Sequence, residues 1–126
     1  DLETKEIQYA GAHRPLYHII KGVLSEIKGD RFPVGSTQYK TRKPFTNSTL
    51  QMQQGDSIYF MSDGFADQYG GPTKKQKYMV GRVKKLIESN NHLSIFQMSD
   101  LFVKTFEEWK GDNKQMDDIL IMGIKF

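Results

Sequence analysis

The 126-residue sequence contains no cysteine. That absence excludes a disulfide framework, thiolate zinc sites and a cysteine nucleophile, and it is compatible with a reducing compartment without proving one. Long apolar runs are missing too. None approaches the roughly 18 residues that span a bilayer, and Asp1-Leu2-Glu3-Thr4-Lys5 lacks the charged-then-apolar pattern of a secretory signal. No membrane contact is expected of this segment. Alanine occurs only at positions 10, 12 and 66, so the core must be built from large Ile, Leu, Phe, Met and Tyr side chains. Such a composition suits β-sheet better than a helix bundle.

With 37% of residues hydrophobic, the chain can fill one modest core and is too short for two ordinary domains. Residues 1–126 are therefore read as one unit. The balance of 18 basic against 15 acidic residues gives a net charge of +3, with both signs interspersed. Most aromatics fall on core periodicities, so no nucleic-acid partner is expected. The chain begins with Asp1 rather than Met, which reads as a piece of a longer protein.

The runs from Glu6 to Ala12 and from Leu16 to Ile20, separated by His13-Arg14-Pro15, read as strand, turn, strand. Val23 to Ile27 follows a tight turn at Gly22 as a third strand. Gly29 to Gly35 holds two glycines and a proline and reads as a loop. Between Thr37 and Met52 the pattern is weak, and Tyr39, Phe45 and Leu50 suggest one or two strands. Ile58-Tyr59-Phe60-Met61 is a continuous apolar run that fits a strand buried on both faces. Met79, Val83, Leu86 and Ile87 share one helical face, with Arg82, Lys84 and Lys85 outside it. A second helix is predicted to start at a capping box, Ser94 with Gln97, to carry the stripe Ile95, Met98, Phe102, Phe106 and Trp109, and to stop at Gly111. The last strand is read as Ile119-Leu120-Ile121-Met122.

Both buried strands carry carboxylates at one end. Asp63 follows the first, and Asp117 and Asp118 precede the last. If those strands are antiparallel neighbours, the three carboxylates converge at one sheet edge. Clustered carboxylates repel unless a cation neutralises them, and an all-oxygen set selects Mg²⁺ or Mn²⁺ over zinc. Spacing alone leaves this reading level with a plainer one, in which Asp63-Gly64 is a turn and Asp117-Asp118 a solvated strand start.

Five stretches occur in one order: YAGAHRPLY (9–17), KGDRFPVG (28–35), GDSIYFMSDGFADQYGG (55–71), the Trp109-Lys110-Gly111 step and QMDDILIMGIKF (115–126). Together they resemble the C-terminal part of SpoIIE-type serine/threonine phosphatases, the bacterial branch of the metal-dependent protein phosphatase (PPM) superfamily. The resemblance implies an α+β fold, an α-β-β-α sandwich of mostly antiparallel sheets, of which this chain is about the C-terminal half. It also implies a binuclear Mn²⁺ or Mg²⁺ centre, in the complete domain, whose activated water hydrolyses phosphoserine or phosphothreonine in a protein substrate. No residue of the protein serves as nucleophile. Asp63 and Asp117 match metal ligands of the family, while Gly64, Asp67 and Asp118 match auxiliary positions. His13, Arg14, Lys74 and Lys75 are candidate phosphate or substrate contacts, each with a plain surface reading of equal or greater weight.

The sequence departs from the family in one respect. The carboxylate that bridges the two metals and an earlier acidic ligand belong to the N-terminal half of such domains, and nothing here fills those positions. The fragment alone is therefore expected to be inactive and to come from a larger cytoplasmic signalling protein, or from the cytoplasmic domain of one. The alternative is a non-catalytic regulatory or interaction domain that keeps the PPM fold. Sheet surface left bare by the missing half is expected to drive a homo-oligomer of the fragment.

Overall fold

The computed structural model describes residues 1, 3–35 and 44–126. In chain order it runs β1 (Glu6–Tyr9), β2 (Leu16–Ile20), β3 (Val23–Ile27), β4 (Ser48–Gln51), β5 (Ser57–Met61), the single turn α1 (Gly64–Asp67), β6 (Tyr69–Gly70), β7 (Gln76–Lys77), α2 (Val80–Ser89), α3 (Ile95–Lys110) and β8 (Ile121–Lys125). The main sheet has four antiparallel strands in the order β3-β2-β5-β8. A two-stranded sheet, β1-β4, pairs Glu6 with Gln51 and Tyr9 with Ser48, and a short ribbon joins β6 to β7.

Alternation along β2 and β5 sends successive side chains to opposite faces, and both faces are covered. Tyr17, Ile19 and Tyr59 pack on one side with Val83 and Ile87 of α2 and Met98, Phe102 and Phe106 of α3. Leu16 and Ile58 face the other side, where Met52 and the partly buried Ile7, Tyr9 and Leu50 of the β1-β4 layer close over them. The order is helices, main sheet, second sheet. β5 is thus buried on both faces, as its unbroken apolar run predicts.

The predicted helices form along their 3.6-residue stripes except at Met79, which stands at the N-cap of α2 with φ 77 and is 58% exposed instead of joining Val83 and Ile87 in the core. At the start of α3 both halves of the capping box are made: the Ser94 hydroxyl accepts from Gln97 N at 3.2 Å, and Gln97 Oε1 accepts from Ser94 N at 2.9 Å. Gly111 ends the helix at φ 54.

Two local differences from the sequence reading have physical causes. β1 stops at Tyr9 rather than Ala12, because Ala12 leaves to form a parallel bridge with Asp30 and the Tyr9 hydroxyl donates to the Arg14 carbonyl. The last strand starts at Ile121 rather than Ile119. There the Ser62 hydroxyl accepts from Leu120 N and donates to the Asp118 carbonyl, both at 3.0 Å, so a side chain replaces the next rung of the ladder. Of the weakly patterned stretch before Met52, β4 is observed, and Tyr39 lies outside the described residues.

Candidate functional site

The C-terminal end of β5 and the N-terminal end of β8 lie side by side, with Met61 opposite Ile121. Beyond that pair the chains stay in contact: Ser62 N donates to the Leu120 carbonyl at 2.9 Å, next to the two bonds of the Ser62 hydroxyl. The next residues are Asp63 and Gly64 on one chain and Asp118 and Asp117 on the other. A Cβ added at Gly64 would lie 2.3 Å from the Asp118 carbonyl oxygen, so only glycine lets the two segments approach this closely. The Ser-Asp-Gly turn and the Asp-Asp pair therefore share one edge of the main sheet.

Asp63, Asp117 and Asp67 each have a defined partner. Arg14 Nη2 donates to Asp63 Oδ2 at 2.8 Å. This bond, assisted by the positive charge, holds the Asp63 carboxyl below its ordinary range. Asp117 Oδ1 accepts from the following backbone N–H, that of Asp118, at 2.7 Å. Asp67 closes the α1 turn through its N–H to the Asp63 carbonyl at 2.9 Å, and its side chain accepts from Lys77 Nζ at 3.1 Å. That bond raises the Lys77 ammonium above its usual value.

Of the candidate substrate contacts, Arg14 is at the carboxylate edge. His13 precedes it at φ 60, with its N–H bonded to the Asp30 carbonyl at 2.8 Å, and faces a neighbouring pocket. Lys74 is turned to Asp112, with a 2.9 Å contact between two exposed side chains. Lys75 is exposed on the same loop.

One residue that organises the edge escapes sequence reasoning. Gln68 is fully buried. Its Nε2 donates to the carbonyls of Tyr69 and Lys114 at 2.9 and 3.0 Å, and its Oε1 accepts from Met116 N at 3.1 Å. Its backbone carbonyl accepts from Trp109 Nε1 at 3.0 Å. This one side chain fixes residues 114–116, which lead into Asp117, against the α1 turn that carries Asp63. A glutamine between an exposed aspartate and an exposed tyrosine has no periodic signature; its position four residues before the Pro72 turn is all the sequence offers.

Among the described residues no three His, Cys, Asp or Glu side chains gather into a group able to hold a metal ion. The Asp63 carboxylate already faces a guanidinium. The residues of this chain alone therefore do not fit a binuclear metal centre. No helix among the described residues is long and apolar enough to cross a membrane.

The family model described as Stage II sporulation protein E (SpoIIE) matches residues 1–126. No curated protein matches the chain significantly. Among solved structures, the SiaA-PP2C domain of Pseudomonas aeruginosa superposes with a TM-score of 0.86 at 27% identity, covering 100% of this chain and 48% of that one. The phosphatase domain of the cell fate determinant SpoIIE from Bacillus subtilis superposes with a TM-score of 0.65 at 12% identity, over 99% of this chain and 54% of that one. A Mn-presoaked structure of the latter gives 0.64 at 14% identity, over 99% and 52%. The two Bacillus subtilis structures support the fold alone. The chain spans about half the length of each of these structures.

Proposed function

We propose that this chain, which belongs to the Stage II sporulation protein E (SpoIIE) family, is a single unit forming the C-terminal half of a protein serine/threonine phosphatase domain. The observation that supports this reading is the close backbone approach of Gly64 to the Asp118 carbonyl, which sets the segment of Asp63 beside that of Asp117 and Asp118. Asp63 and Asp117 are assigned as two ligands of a Mn²⁺ or Mg²⁺ site whose remaining ligands come from the other half of the domain. Gly64, Asp67 and Asp118 are assigned to shape that edge, and Arg14, which pairs with Asp63 in the isolated chain, is assigned to the phosphoryl group of a phosphoprotein. The site is incomplete within these 126 residues. Turnover by the isolated chain is accordingly negligible, and the setting proposed is the cytoplasmic part of a signalling protein.

The test is phosphate release from a phosphoserine peptide at millimolar Mn²⁺, measured for the isolated chain and for the complete domain that carries it. The reading expects release only from the complete domain, with loss in the Asp63→Asn variant. Robust, Asp63-dependent release by the isolated chain would contradict the half-site assignment.

A second reading draws on the Arg14–Asp63 ion pair, which neutralises the edge without a metal. In it, the domain keeps the fold and serves regulation or binding only. A complete domain that neither binds Mn²⁺ nor releases phosphate, yet keeps its fold on Asp63→Asn, would favour that reading.

The bare edge strand supports a further part of the proposal. Among the described residues β8 pairs only with β5, and Leu120 just before it and Met122 and Ile124 on it are 60, 51 and 40% exposed. Phe96 and Val103 of α3 stand equally open beside an apolar groove of about 660 Å³. In the isolated chain a second copy is the proposed cover.

A further inference from the structure

Next to the carboxylate edge lies a second pocket of about 580 Å³, lined among others by His13, Pro15, Lys28, Arg31, Val80 and Lys84. Its charge is one-sided. Lys84 is neutralised by Glu26 at 2.6 Å, whereas neither Lys28 nor Arg31 has an ion-pair partner among the described residues. The nearest acidic residue in sequence, Asp30, spends both carboxylate oxygens on Thr46, at 2.7 Å to its N–H and 3.1 Å to its hydroxyl. Lys28 and Arg31 are thus two exposed cations outside any ion pair among the described residues, although the Asp30 carboxylate, next to Arg31 in the chain, keeps its charge.

The pocket is also tied mechanically to the site. The His13 N–H bonds the Asp30 carbonyl at 2.8 Å, and the Asp30 N–H bonds the Gly11 carbonyl at 2.7 Å. A Cβ at Gly29 would lie 2.6 Å from the Arg14 carbonyl oxygen, so the two loops are in direct backbone contact. In this braced unit His13 and Pro15 line the pocket, while Arg14 between them turns onto Asp63. An extended peptide with one residue at the Asp63 edge would place its next few side chains over Lys28 and Arg31. Val80, 40% exposed, gives that path an apolar wall beside Met79, which is 58% exposed.

We propose that this pocket is a docking subsite for an acidic segment of the protein substrate, with Lys28 and Arg31 reading Asp or Glu residues that flank the target serine or threonine. The assignment rests on the phosphatase reading for its substrate, but the pocket's preference for acidic peptide does not depend on catalysis. The apolar wall favours peptide over nucleic acid. Among the described residues the most exposed aromatic side chain, Phe96 at 80%, belongs to α3 and lines the other groove, so it offers no base-stacking platform here.

The experiment uses the full-length protein and two labelled, unphosphorylated peptides, one with a serine followed by three glutamates and one with three alanines instead, read by fluorescence anisotropy. The glutamate peptide is expected to bind about tenfold more tightly at low ionic strength, with the ratio shrinking as salt rises. Lys28→Glu and Arg31→Glu should each bring the ratio toward one. Lys104→Glu, an equal charge change on exposed α3, should leave it. Equal affinity for the two peptides, or equal losses from Arg31→Glu and Lys104→Glu, would overturn the subsite. Because neither peptide carries phosphate, that outcome leaves the phosphatase reading intact. Failure of Mn²⁺-dependent phosphate release with peptide discrimination retained would instead remove the phosphatase reading and leave an acidic-peptide site.

Discussion

The α-carbon of Gly64 faces the carbonyl oxygen of Asp118 so closely that a single added methyl would sit 2.3 Å from it. The carbonyl belongs to backbone, which cannot swing aside as a flexible side chain would. Gly64→Ala must therefore separate the Ser-Asp-Gly turn from the Asp-Asp segment. Overpacking of this kind costs about 1–3 kcal/mol. Gly81, in the first turn of α2, has no atom within 4 Å of its would-be Cβ, and its replacement by alanine should stabilise by about 0.5–1 kcal/mol. Urea unfolding of both variants checks the contrast. Equal effects would mean that the contact is not rigid.

Gln68 makes three side-chain hydrogen bonds from a fully buried position. Gln68→Leu keeps the volume but strands the Lys114 carbonyl and the Met116 N–H. Stranded buried groups cost about 1–3 kcal/mol each. The variant should unfold earlier, and amide exchange at Met116 should accelerate more than exchange in α2. Uniform acceleration would show that Gln68 acts on global stability alone.

His18 on β2 supplies a pH dependence. Its Nδ1 is buried without a hydrogen-bond partner among the described residues. Burial pushes the imidazole below its ordinary 6.5, and the Asp56 carboxylate opposes this more weakly. Above 6.5 both folded and unfolded chains hold a neutral ring. As the pH falls below that value the unfolded chain takes up a proton that folded His18 refuses, so stability is lost with acidification. Melting temperature should drop between about pH 7 and pH 5, and the drop should be shallower in His18→Gln. Identical slopes would place the acid sensitivity in another group; Asp63, whose carboxyl lies below its ordinary value, acts only at lower pH, where its contribution is lost as the pH falls through the carboxylate range.

The exposed β8 face bears on the isolated chain's assembly. Light scattering at micromolar and tens-of-micromolar concentration should report a dimer or larger species, and Met122→Lys should shift it toward monomer. A monomer mass of 14.6 kDa throughout would show that the bare edge is tolerated.

Much of this architecture is legible in the residues. The capping box at Ser94 and Gln97, the stripes of α2 and α3 and the apolar run of β5 follow from local periodicity, which a sequence displays directly. That the two chain segments meet follows from β5 and β8 being antiparallel neighbours, but the expected gathering of the three carboxylates into a metal-holding group is not seen among the described residues. What stayed hidden depends on contacts between distant residues. Nothing in the sequence pairs β1 with β4, or Arg14 with Asp63, and no local pattern shows Gln68 to be buried. β8 starts later than its apolar run because the side chain of Ser62, just past the end of β5, takes the place of the next rung of the ladder.

The central claim is that Asp63 and Asp117 contribute to one metal site in the complete domain. Calorimetric titration of that domain with Mn²⁺, beside Asp63→Asn and Asp117→Asn, tests it most directly. The account predicts saturable binding in the parent and a loss of about tenfold or more in affinity in each variant. Unchanged Mn²⁺ affinity in both folded variants, with phosphate release retained, would contradict it.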